Sequence, residues 1–157
     1  MTAPLPDTPR YDLVHARPRP WEDGCPRTAS LLQLDFDFAG SSLPLETARD
    51  QRRAHDRHGI TTLIVPVRYR TPTITLADAT DRAWAAARAA GPEPRPDPPR
   101  FHADHPMFFT FLVPAAEPQG PSPGGAASGL LVSVDKCDGH IWSDEEMNEY
   151  FALVGPR

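Results

Sequence analysis

Apolar and polar residues alternate without a break along Leu32-Gln33-Leu34-Asp35-Phe36-Asp37-Phe38, the period of a half-buried strand. Gly40 ends that run. Ser42 followed by Pro44 then has the form of a helix N-cap with proline in the first turn, and Gly59 supplies the stop. Between them Arg49, Asp50, Gln51, Arg52, Arg53, Asp56 and Arg57 leave only a thin apolar face, which predicts a surface helix. Ile60–Arg70 is β-branched and apolar and reads as a buried strand, with Pro66 marking an edge or a bulge. Thr75 with Asp78 opens a second helix. Its inner stripe is Leu76, Ala79, Ala83, Ala86, Ala87 and Ala90, and Gly91 closes it. Met107–Val113 and Leu130–Asp135 predict two further strands. The second turns through Asp138-Gly139 into His140-Ile141-Trp142, a hairpin expected to be the most secure antiparallel pair. Ser143 and Glu146 form a capping box for a last helix. There Met147, Tyr150, Phe151 and Val154 fall at i, i+3, i+4 and i+7, and Gly155 ends it.

Proline divides the chain. With 20 prolines in 157 residues, many segments are barred from element interiors. Residues 1–29 read as a proline-rich arm with one short strand at Tyr11–Ala16, and Trp21 is a residue expected to dock. Residues 91–100 read as a polyproline spacer, and Pro114–Gly129 as a long mobile loop of Pro, Gly, Ser and Ala. Residues 30–157 then form a single α+β domain. Its expected form is a mostly antiparallel sheet with helices packed on one face.

Charge narrows the functional classes. The formal net charge is -5, which argues against nucleic-acid binding, since phosphate affinity needs clustered positive charge. A basic protein is the favoured partner for an acidic chain. Lys136 is the single lysine. Abundant Ala, Pro, Gly and Arg is the composition of a GC-rich bacterial genome. Cys25 and Cys137 are too few for a disulfide scaffold. The first ten residues lack a signal-peptide apolar run, and no stretch approaches the length of a membrane span. The expected location is the cytoplasm, with no membrane partner.

The candidate chemistry is sparse. His102 and His105 are separated by two residues, as are Cys137 and His140, and two such pairs on neighbouring turns are a common way to assemble tetrahedral zinc. The competing reading places Cys137 and His140 in a hairpin turn and the other two in solvent before a strand. His55 and His58 suit a helix C-terminus, and Asp35 and Asp37 share the polar face of their strand. No Gly-x-Ser-x-Gly elbow, dinucleotide fingerprint or phosphate loop occurs, so no catalytic residue is named. Asp138, Asp144, Glu145, Glu146 and Glu149 stand with Trp142 and Tyr150 in one short acidic, aromatic stretch. Asp138, Trp142, Asp144, Glu145 and Glu149 are therefore the candidate partner-binding residues.

Three segments carry a family resemblance: Ile74-Thr75-Leu76-Ala77-Asp78-Ala79, Phe108-Phe109-Thr110-Phe111, and Leu131 through Trp142 with its Asp-x-x-x-Gly turn. From Thr73 onward the chain resembles the YrhB / immunity protein 35 group of small bacterial immunity proteins. The resemblance implies neutralisation of a cognate toxin by binding, without chemistry. Pro114–Gly129 departs from it as an insertion, and residues 1–70 lie outside it. The leading expectation is thus a non-enzymatic immunity or inhibitor protein that holds a basic protein partner. The alternatives are a small zinc-dependent or tailoring enzyme using His102, His105, Cys137 and His140, and an accessory subunit docking through its proline-rich arm.

Overall fold

A computed structural model describes residues 8–18, 34–90, 97–114 and 129–155. Trp21, Cys25, the spacer at 91–96 and the loop at 115–128 lie outside the described residues. The element order is β1 (Tyr11–Pro18), β2 (Leu34–Phe38), α1 (Leu45–Arg57), β3 (Leu63–Pro66), a 3-10 turn (Val67–Arg70), α2 (Leu76–Ala89), β4 (Arg100–Asp104), β5 (Phe108–Pro114), β6 (Gly129–Asp135) and α3 (Asp144–Val154).

The fold is α+β, and the strands form two antiparallel sheets of three where the pattern predicts one. The first has the order β2-β1-β3, the second β4-β5-β6. Two strands account for the difference. β1, expected as a short strand within the arm, is the centre of the first sheet, pairing Val14 with Phe38 on one side and Leu63 on the other. Leu13 and Val14 are buried there, so this stretch belongs to the packed body. β4 was not expected, because Arg100-Phe101-His102-Ala103-Asp104 is polar and follows prolines. It is an edge strand, largely exposed, with a register shift between Phe101 and Ala103. An edge strand needs little apolar content, which is why its pattern is weak.

Each sheet has its own helix. α1 lies on β1 and β3, with Ala48 fully buried. α2 lies on β5 and β6, where Ala79, Ala83 and Ala87 meet Phe111, Val113, Val132 and Val134. Three alanines one turn apart present almost no side-chain volume, which lets the helix backbone approach the sheet closely. α3 joins the two halves. Tyr150 and Val154 enter a core shared by Leu13, Ile64, Met107 and Phe108, and the Tyr150 hydroxyl donates to the Ile64 carbonyl at 2.7 Å. Buried Arg49 of α1 donates to the Leu153 carbonyl, satisfying the C-terminus of α3.

Several local expectations shift. Both capping boxes form, Thr75 with Asp78 and Ser143 with Glu146. Ser42 is not an N-cap. It takes φ +46, its N–H donates to Asp12 at 3.0 Å, and α1 starts after Pro44 with no side-chain cap. The run at Ile60–Arg70 is shortened to β3 and continues as the 3-10 turn, because Pro66 has no N–H to offer a ladder. The return limb of the expected hairpin is reduced to a single bridge, Val134 with Ile141. The long pairing of β6 is with β5 instead, in register from Phe108–Asp135 to Pro114–Gly129. Phe151 stays half exposed on the flank of α3, while Met147, Tyr150 and Val154 carry the inward face.

Candidate functional site

The end of β6 is the point where the elements converge. Alternation along Val132-Ser133-Val134-Asp135 puts the valines against α2 and turns Asp135 to the other side, where it is fully buried. A carboxylate removed from water needs every lone pair occupied. Asp135 achieves this. Its Oδ1 accepts from the backbone N–H of Cys137 at 2.7 Å and of Asp138 at 3.1 Å, the Asx-turn geometry that closes the loop. Its Oδ2 accepts from Trp142 Nε1 at 3.0 Å and from the Tyr69 hydroxyl. Arg68 donates to the Tyr69 oxygen at 2.7 Å, and its guanidinium lies 4.7 Å over the Tyr69 ring, bringing a positive charge near the buried anion. Burial, reinforced by Asp135, pushes the Tyr69 phenol far up, so it stays protonated and donates.

The turn beyond Asp135 carries the exposed chemistry. Gly139 takes φ +75, and a Cβ there would stand 2.7 Å from the Arg82 guanidinium, so glycine serves both the backbone and the close approach. His140 follows with a carboxylate at each ring nitrogen: Nδ1 is 2.6 Å from Asp138, and Nε2 is 3.2 Å from Glu146, outside hydrogen-bond alignment. Asp135 is 4.0 Å from Nδ1. The His140 ring stacks on Trp142 at 5.8 Å, and Trp142 packs on Phe108 at 5.2 Å. Burial disfavours the imidazolium, but Asp138 first, then Asp135 and Glu146, outweigh it and raise the His140 pKa above its ordinary value.

The sequence-derived residues divide as follows. His102 is exposed on β4. His105 points inward, stacked on Phe108 at 4.3 Å and edge-on to Tyr150, with Nδ1 accepting from the Met107 N–H at 3.2 Å. Burial and the Lys136 charge hold its pKa down to about 3. Cys137 is partly buried with Sγ 3.5 Å from the Arg68 carbonyl, and burial together with Asp135 pushes its thiol pKa up, away from thiolate chemistry. The structure therefore does not bring His102, His105, Cys137 and His140 together as a ligand set. Among the described residues the donors that do meet, within 4.8 Å, are Asp135, Asp138 and His140. That group fits a metal poorly. All four lone-pair directions of Asp135 are spent on protein donors, and a cation taking one would orphan a buried donor at a cost of about 1–3 kcal/mol.

Of the partner-binding candidates, Asp138, Asp144, Glu145 and Glu149 are exposed, on the turn and on α3. Trp142 is half-buried, with its indole N–H directed inward to Asp135. Asp35 and Asp37 are exposed on β2, in register with Arg17 and His15. His55 stacks on His15 and pairs with Thr62, a structural role. Sequence reasoning passed over Asp135, Tyr69, Arg68 and Arg82. A signal for the first was present in Asp135-Lys136-Cys137-Asp138-Gly139, since an acid three residues before Asp-Gly is placed to accept the turn's own N–H groups.

No protein-family model, curated protein or solved structure matches this chain. Its own charge distribution is the remaining guide. Residues 135–149 hold six acids and one lysine, leaving 15 acidic and 15 Lys or Arg residues elsewhere. The entire net charge therefore sits in this turn and the first half of α3. The lysine, Lys136, is itself buried and paired with Asp104 at 2.6 Å between the Phe36 and Phe109 rings, so it does not offset the exposed acids. No helix among the described residues is long and apolar enough to cross a membrane.

Proposed function

We propose that this chain is a non-enzymatic binding protein, an immunity or inhibitor type of factor whose acidic turn and α3 hold a basic protein partner. The observation that carries the reading is the segregation of charge. The part of the chain outside 135–149 carries no formal net charge, and Asp138, Asp144, Glu145 and Glu149 are exposed on a turn and helix start held by internal hydrogen bonds. Rigidity matters because ordering loose side chains on association costs about 0.5–1.5 kcal/mol each. Here Asp135, the Ser143–Glu146 cap and the Trp142 packing fix the frame beforehand. The resemblance of the C-terminal half to small immunity proteins points the same way.

The test is affinity capture from the protein's native source, run in parallel with an Asp144→Lys, Glu145→Lys, Glu149→Lys variant. The reading expects a basic polypeptide in stoichiometric amount on the natural chain and its loss on the variant and in high salt. Equal recovery on both, or no stoichiometric polypeptide on either, contradicts it.

A further inference from the structure

The contacts of His140 link two elements through one proton. Asp138 Oδ1 accepts from the His140 backbone N–H at 3.0 Å and faces Nδ1 at 2.6 Å, so the ring is bound to its own turn. On the other side Glu146 divides its carboxylate. Oε2 accepts the Ser143 N–H at 2.9 Å and completes the cap of α3, while Oε1 faces His140 Nε2. An imidazole with a carboxylate at each nitrogen is served by both neighbours only when both nitrogens carry hydrogen.

We propose that the His140 imidazolium is a proton-controlled clasp joining the 136–140 turn to the N-terminus of α3, and that its deprotonation loosens that helix end by releasing Glu146. The neutral ring keeps one N–H, which remains with Asp138, the closer partner. Nε2 then turns a lone pair toward the Glu146 carboxylate, and attraction becomes repulsion. The groups around the ring set the balance. Asp135 and Asp138 come from the turn and Glu146 from α3. Arg82 of α2 donates to the Gly139 carbonyl at 3.3 Å, and Arg68 lies beside Tyr69 on the Asp135 side. Two cations against three carboxylates leave the site favourable to a proton, in the direction the titration of His140 also takes. The clasp does not depend on the binding reading, since it concerns only contacts within the chain.

The experiment is an NMR titration of the imidazole signals and of the α3 amides, with His140 assigned by its loss in a His140→Gln chain. In the natural protein the His140 midpoint is expected above the ordinary value of about 6.5. Ser143–Met147 amide shifts are expected to follow the same midpoint. Glu146→Gln retains the capping box, which glutamine also completes, and removes only the charge. Asp138→Asn retains an acceptor for the His140 N–H. Each variant should move the midpoint down, and Glu146→Gln should detach the α3 amide shifts from it. A midpoint at or below 6.5, a midpoint indifferent to both variants, or α3 amides that ignore the titration would each overturn the proposal.

Discussion

Acid should destabilise this protein through His105 well before its carboxylates are titrated. The ring lies between Phe108 and Tyr150, and although the residue keeps some exposed area, Nε2 has none. The Met107 N–H occupies Nδ1, and Lys136 adds a repulsive charge, so a proton can be accepted only by breaking a hydrogen bond beside a cation. In the unfolded chain the same ring titrates near 6.5. At pH 7 and above both states are almost neutral and the group contributes little. As pH falls through 6.5 the unfolded state gains a proton that the folded state refuses until about 3, so stability declines throughout that window. Integrating between pH 7 and pH 5 gives a loss of about 2 kcal/mol. With a urea slope of about 2 kcal/mol per molar, the midpoint should fall by about 1 M. The assay is urea unfolding at both pH values for the natural protein and for His105→Gln, which keeps an acceptor for Met107 but has no proton to gain. The variant starts less stable, yet its midpoint should shift about 1 M less between the two pH values. Identical pH dependence in the two proteins would refute the reasoning.

Three further outcomes follow from the buried polar contacts and the turn. Tyr69→Phe removes a hydrogen bond to the buried Asp135 carboxylate and should cost about 2 kcal/mol in urea unfolding at pH 7. Arg70→Ala leaves Asp12, which is fully buried, with the Ser42 N–H but no cation, and should lower the urea midpoint at pH 7. Burial alone would raise the Asp12 pKa, but the Arg70 bond reverses this and holds it low. That stability is present above the unfolded value of about 3.9, is lost as pH falls below it, and should shrink in Arg70→Ala, where only the backbone N–H donors remain. Gly139→Ala and Gly59→Ala both force alanine into positive φ, at about 1 kcal/mol. Only the first also drives a Cβ into Arg82, so thermal unfolding should show the larger loss for Gly139→Ala.

The helices were the most legible part of the fold. Thr75–Asp78 and Ser143–Glu146 act within one turn, so local sequence specifies them and tertiary context has little to override. The alanine stripe of α2 likewise named its buried residues, because a 3.6-residue period is internal to the segment. The division into two sheets was hidden, since pairing depends on partners remote in sequence. β1 meets β3 some fifty residues later, and polar β4 is held by β5 rather than by its own pattern. Ser42 shows how a local signal is overruled. Buried Asp12, thirty residues earlier, takes its N–H and fixes a left-handed backbone where a cap was expected. At the candidate site the acids of α3 were read directly. The hub was not, because Tyr69 and Trp142 reach Asp135 from separate elements and spacing along the chain carries no record of that meeting.

Native mass spectrometry of the protein isolated gently from its source tests the central claim most directly. The account predicts a complex with a second, basic polypeptide that dissociates as ionic strength rises. The bare chain alone, or a chain whose only added mass is a metal ion lost together with folding on chelation, would contradict it.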